Sequence, residues 1–187
     1  MLHLAIQHVA DALATYVQLQ TGVPDAVVAS PLVEHGAQGG LAAPGKLVVT
    51  LVRIEEDRLS RSVEYHERIE GDRVRRVEPP TRLTAFLLVA ATHDDYDEAL
   101  KAVGHAVAFF QNVRSVDYAE IEGVEDAGRL VLEMDSPSFE QLNHLWGTVG
   151  AKYLPSVLYR MRLLSVHDAR PEASQPSVGV VEIATAP

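Results

Sequence analysis

Two apolar runs, KLVVTLVRI at residues 46–54 and TRLTAFLLVAATH at 81–93, set the main constraint on how this chain folds. The first is rich in β-branched residues and almost continuously apolar, which suits a strand covered on both faces. The second is expected to be another core strand. Its longest apolar stretch, near Leu83 to Ala91, is about half the length a helix needs to span a bilayer. A buried sheet is the expected use of both runs.

The segments around these strands carry helical and turn signals. In residues 2–20, Ile6, Val9, Ala10, Leu13 and Val17 recur at helical spacing, and Gly22 with Pro24 ends the pattern. A short strand is expected at Val27 to Ala29, followed by the patternless HGAQGGLAAPG at 35–45. Residues 55–80 are heavily charged and end at Pro79-Pro80, which predicts a hairpin or long excursion with RSVEYHERIE as an exposed strand. After His93-Asp94-Asp95 a second helix is expected, burying Tyr96, Leu100, Val103, Val107 and Phe110, with acids at 94, 95, 97 and 98 favouring its N-terminal dipole.

Weak strand character around Ser115 to Ile121 leads to RLVLEM at 129–134, a further strand. Ser138 and Gln141 have capping-box spacing, so a third helix starts there with Phe139, Leu142, Leu145, Trp146 and Val149 inward. Pro155 ends it. SVLYRMRLLSV at 156–166 alternates as a strand, with Val157, Tyr159, Met161 and Leu163 on one face and Arg160 and Arg162 on the other. The sum is an α+β domain over residues 1–167, a mainly antiparallel sheet with about three helices on one side. ARPEASQPS at 169–177 reads as a linker, and VGVVEIAT at 178–185 resumes strand-like composition, so residues 168–187 are expected to form an extended C-terminal arm.

Composition narrows the function classes. The 187 residues carry a net charge of −10, which disfavours nucleic acid as a partner, because a binder must neutralise phosphates with surplus Lys and Arg. Seven of the 16 basic residues fall between Arg53 and Arg76, but Glu and Asp are interleaved with them and no basic face accumulates. There is no Cys, which removes disulfides and thiolate chemistry together and fits a reducing compartment. The N-terminus lacks a basic start and carries Asp11 where an apolar signal run would continue. A cytoplasmic protein with no membrane contact is expected.

Chemistry is hard to find. The eight His residues show no HExxH and no i, i+4 pair, so no metal or cofactor is expected. The glycines at 36, 39 and 40 lack the strand and the Lys-Ser/Thr of a phosphate loop, and no G-x-S-x-G occurs. His93, Asp94 and Asp95 could hold a hard cation or act as a base, although acids at a helix start are also explained by the dipole. A small enzyme built on those three residues and a stand-alone binding module remain as alternatives. Trp146 and Phe139 fall on the apolar stripe of the third helix and Tyr159 on the inward face of the last strand, so all three are expected core anchors. Asn143 and His144 fall off the stripe, towards solvent or a neighbouring molecule.

Four blocks then carry a resemblance: LVVTLVRIEEDR at 47–58; PP-x-x-L-x-x-x-L-L at 79–88; Asp95-Tyr96-x-Glu98-Ala99-Leu100 with Phe109-Phe110-Gln111; and SFEQLNHLWGTVGAKYLPSVLYRMRLL at 138–164. Together they resemble the tail-terminator, or cap, proteins of extracellular contractile injection systems of the anti-feeding-prophage and virulence-cassette type. The resemblance spans about residues 2–167; the loop at 35–45 and everything after Asp168 match poorly. It implies a non-enzymatic structural protein that forms a homo-hexameric ring on the inner tube, at the end distal to the baseplate. There the ring would stop polymerisation and hold the last layer of sheath. Ring contacts would then come from strand edges and exposed helix faces. Expected partner-binding residues are Arg160, Arg162, Asn143 and His144, together with Val178, Val180, Val181 and Ile183 of the arm; for the two arginines, pairing with nearby Glu or Asp of the same chain is the equal alternative.

Overall fold

The computed structural model describes residues 1–34, 40–56, 66–70, 73–77, 81–124 and 128–166. The chain opens with α1 (Leu2–Thr21), which buries Ala5, Val9, Ala10, Leu13 and Val17. Gly22 closes it at φ 73, a left-handed cap conformation that glycine adopts without the steric cost a Cβ brings. A six-stranded sheet follows, made of β1 (Val27–Ala29), β2 (Leu47–Glu56), β5 (Thr81–Ala91), β6 (Ser115–Asp117), β7 (Arg129–Asp135) and β8 (Ser156–Val166). Its strand order is β1-β2-β5-β8-β7-β6, and only the β1–β2 pair is parallel. Between β2 and β5 the chain forms a separate hairpin, β3 (His66–Glu70) with β4 (Arg73–Val77). The other two helices are α2 (Tyr96–Asn112) and α3 (Phe139–Val149).

The two apolar runs sit side by side in the sheet, Leu47 opposite Ala91 and Val49 opposite Val89. Alternation along β5 sends Ala85, Leu87, Val89 and Ala91 to one core and Leu88 and Ala90 to another. The first core lies under α1 and α2. A row of rings crosses it, from Tyr16 of α1 to Phe109 at 5.7 Å, to Phe110 at 5.0 Å, to Tyr159 of β8 at 4.0 Å. The second core packs Trp146, Leu142, Leu145 and Val149 of α3 against Val48, Leu88 and Leu158, with Leu32 and Leu41 from the β1–β2 connection. Thr92, 2% exposed, pins that connection to the end of β5: its hydroxyl accepts from the Lys46 amide at 3.0 Å and lies 2.5 Å from the Ala43 carbonyl oxygen.

Four expectations need correction. The helices are not all on one side, because α3 covers the face opposite α1 and α2. β2 is covered on both faces only over Leu47 to Thr50: Leu51 is already exposed, while Val52 still packs against the second core under α3. On α2, Tyr96 is 66% and Leu100 46% exposed, and the buried stripe is Ala99, Ala102, Ala106, Phe109 and Phe110. The stripe is therefore turned by one residue, about 100° around the helix, so that alanines let α2 sit close to the sheet. Phe139 is 93% exposed and anchors nothing in this fold. Trp146 and Tyr159 are buried as expected.

Local signals account for the helix starts. Ser138 Oγ accepts from the Gln141 amide at 3.3 Å, and Gln141 Oε1 accepts from the Ser138 amide at 2.8 Å, a complete capping box. The Asp95 carboxylate accepts from the Glu98 amide at 2.9 Å and caps α2. After β6 a 3-10 turn, Tyr118–Glu120, replaces the continued strand expected to Ile121.

Candidate functional site

Expected partner-binding residues fall on the face of the sheet that carries α3. Cross-strand register puts Arg53, Phe86, Arg160 and Glu133 in one row across β2, β5, β8 and β7. Phe86 is 9% exposed and lies between two guanidinium groups, with Arg53 5.6 Å and Arg160 5.7 Å from its ring centre. Such contacts attract the cations to the ring's electron-rich face and cover its carbons with their stems. Arg160 is ion-paired with Asp135, Arg162 Nη2 lies 3.0 Å from Glu133 Oε2, and Arg53 pairs with Glu55. Both arginines of β8 thus find acids on β7 of their own sheet, so neither stands as an uncompensated cation. One donor is left over: Arg160 Nε is buried and has no partner among the described protein atoms.

Beside this row, α3 turns its polar side outward. Asn143 and His144 are exposed and, with Trp146, Gly147, Thr148 and Tyr153, line an open cavity of about 630 Å³. Tyr153 stands edge-on to Trp146 with ring centres 5.6 Å apart. Trp146 is 6% exposed, and its indole Nε1 has no hydrogen-bond partner among the described protein atoms. The structure therefore brings Asn143, His144 and Trp146 together around one cavity, while Arg160 and Arg162 belong to the neighbouring sheet surface. Val178, Val180, Val181 and Ile183 lie outside the described residues.

The alternative built on His93, Asp94 and Asp95 loses its central carboxylate to capping. Asp95 is committed to the Glu98 amide, Asp94 is exposed, and His93 is half-buried with an unpartnered Nδ1. Among the described residues no group of three His, Cys, Asp or Glu side chains could hold a metal ion. The shifted ionisations are local. The Glu98 hydrogen bond raises the Lys101 ammonium, the Asp117 hydrogen bond raises the Arg129 guanidinium, and burial pushes the Tyr159 phenol up. None of these gathers at a cleft. None of the described helices is long and apolar enough to cross a membrane.

Periodicity gave no warning of the exposed Phe139. It occupies the first turn of α3, where the apolar repeat has only begun and the capping box fixes the direction in which the helix starts. Replacing Phe139 with Ser should leave the melting temperature of the isolated chain within about 2 °C, since exposed substitutions usually move stability by under about 0.5 kcal/mol. A drop of 10 °C in a thermal melt would show that the ring is buried after all.

The sequence matches the family described as the Pvc16 N-terminal domain over residues 5–179. This chain belongs to that family. The match continues past Asp168, where the resemblance was expected to fade. Among curated proteins none matches. Among solved structures, the chain is similar to the anti-feeding prophage cap, a tube-terminating cap, at 17% identity and a TM-score of 0.56, covering 92% of this chain and 58% of that one. It is also similar to the sheath/tube terminator, in its extended state, of the extracellular contractile injection system PVC, at 17% identity and a TM-score of 0.50, covering 76% of this chain and 51% of that one. At that identity the likeness is one of fold. The chain spans a little over half the length of the solved proteins it matches.

Proposed function

We propose that this chain is a structural cap of a contractile injection system. Copies of it form a ring, hexameric when assembled, on the inner tube at the end distal to the baseplate, where the ring ends tube and sheath growth and retains the last sheath layer. The family match over residues 5–179 carries this proposal, and the fold shared with two terminators supports it. The role is structural rather than catalytic: Asp95 of the His93-Asp94-Asp95 group caps α2, and the polar groups of α3 line an open surface. The chain is made in the cytoplasm and incorporated into a phage tail-like particle, with tube and sheath proteins as its partners.

Arg160 and Arg162 follow the second of their two expected readings, pairing within the chain. Their pairing with Asp135 and Glu133 makes them part of the sheet's own surface, so an acidic partner would have to compete with those carboxylates. The C-terminal segment is the better candidate for reaching outward. Nine residues with two prolines and two serines precede VGVVEIAT, and such a linker spans up to about 30 Å when extended. Added to an open sheath edge, Val178, Val180 or Val181, and Ile183 would supply side chains on alternating faces of a new strand. Deleting residues 170–187 should leave a folded chain that still occupies the tube end but no longer retains the sheath. Imaging decides both points: sheaths that remain attached refute the arm, and density for this chain at the baseplate refutes the cap.

A further inference from the structure

β2 is an edge strand over most of its length. β1 pairs with it at Leu47 to Val49, and the Ser30 amide donates to the Val49 carbonyl at 3.2 Å. At Pro31 the chain turns away, and Leu32 enters the core under α3. Over residues 50–55 the side of β2 away from β5 has no strand partner among the described residues. Backbone groups on such an edge are ready to bond an incoming strand.

Side chains along this stretch also lack cover. Leu51 stands opposite Leu87 and Ile54 opposite Ala85, so both lie on the α1 face of the sheet, where they are 37% and 48% exposed. Each face has an apolar groove beside the edge. One, of about 470 Å³, runs between His3 and Ile6 of α1 and the residues Ala29, Pro31, Val49 and Leu51. The other, of about 460 Å³, lies between Leu32 and Val33 and the residues Val52, Leu145 and Val149. A strand bonded to the edge would send alternate side chains into the two grooves. The register shift between Leu51 and Arg53 is a bulge in β2, a feature that discourages untethered strands from adding to an edge. A tethered strand meets that obstacle at a far higher effective concentration.

The chain's own end is placed to reach this edge. Leu83 of β5 stands opposite Glu56 on one side and Leu163 on the other, so β2 and β8 finish at the same end of the sheet. A strand added to β2 would lie three strand spacings from β8, about 14 Å. Residues 167–177 span up to about 36 Å when extended, more than twice that distance. VGVVEIAT at 178–185 follows, long enough to pair with all of residues 50–55. It would enter from the Glu56 end, run antiparallel to β2 and stop where it meets Ala29 of β1. Val178 and Val180 share one face of such a strand and Val181 and Ile183 the other, so each groove receives two β-branched side chains.

We propose that residues 178–185 of the free chain pair antiparallel with residues 50–55 of β2 in the same copy, covering Leu51 and Ile54. The inference concerns the copy in solution and stands apart from the cap proposal. On a particle the same segment serves the sheath only by leaving β2, so the two pairings exclude each other in any one copy.

The isolated chain is the sample, and its lack of cysteine makes the contact directly readable. Ile54→Cys with Val181→Cys, in dilute solution and treated with a short bis-maleimide, should give an intramolecular cross-link in most molecules. Gln111→Cys with Val181→Cys is the control, because Gln111 is exposed and its helix leads into β6 at the opposite margin of the sheet. A loose tail reaches both positions; a docked one reaches Ile54 alone. Hydrogen exchange is the second measure. Deleting residues 170–187, or Val181→Pro, should speed exchange of the outward-facing amides among residues 50–55 by about tenfold or more, while Leu87 to Val89 stay protected. Equal cross-linking of the two pairs, or exchange at residues 50–55 that ignores the deletion, overturns the contact. Cross-linked dimers in place of monomers would put the segment on a second copy and overturn pairing within one.

Discussion

Replacing Trp146 with Ala should destabilise the chain by roughly 3–5 kcal/mol, the usual range for truncating a buried large aromatic. Trp146 is the one buried member of α3 and ties that helix to Val48, Leu88 and Ala90 of the sheet. Its removal leaves a void under a helix whose other inward groups are only partly buried, since Phe139 points to solvent. For a chain of this size each kcal/mol moves the melting temperature by about 2–4 °C, so a fall of roughly 6–20 °C is expected. Soluble yield should drop with it. An unchanged melting temperature together with lost assembly would make Trp146 an interface residue instead, acting through its unpartnered Nε1.

A comparable loss is expected from a much smaller change, Gly128→Ala. A Cβ at Gly128 would stand 2.3 Å from Tyr118 Cε2 and 2.6 Å from Cδ2, well inside van der Waals contact. Tyr118 is fully buried, so its ring has no solvent side to move into. The two backbones are held together as well, the Gly128 carbonyl accepting from the Tyr118 amide at 2.9 Å. Overpacking of this kind costs about 1–3 kcal/mol and occasionally more, and Val at the same position should cost more than Ala. Gly104 provides the contrast. It lies exposed within α2, and a Cβ there would meet nothing within 4 Å, so Gly104→Ala should stabilise the helix by about 0.5–1 kcal/mol. Thermal melts in which both substitutions shift the same way would contradict the local account of each.

What the sequence revealed depended on how many signals coincided. β8 was legible to the residue because alternation of Tyr159, Met161 and Leu163 with Arg160 and Arg162 agrees with a strand that has one buried and one charged face. α3 was legible because its capping box and its apolar repeat start together. α2 was found, but its facing was not. Tyr96, Leu100, Val103 and Val107 outweigh the alanines on any hydrophobicity scale, yet close approach of a helix to a sheet selects the small side chains of Ala99, Ala102 and Ala106. The strongest apolar stripe was thus read as core when the fold leaves its first turns on the surface. At the outer sheet face the two arginines were placed correctly, but Asp135 and Glu133 lie on another strand, and a register between strands is not written in either one.

The two strands at the margins of the six-stranded sheet, β1 and β6, are each only three residues long. A long bare margin is a template on which further chains can add and go on adding, the route to fibrous aggregates. β1 covers β2 only at Leu47 to Val49, however, so from Thr50 to Glu55 that edge of β2 has no strand partner among the described residues. That stretch, rather than either marginal strand, is where an added strand would find backbone groups to bond.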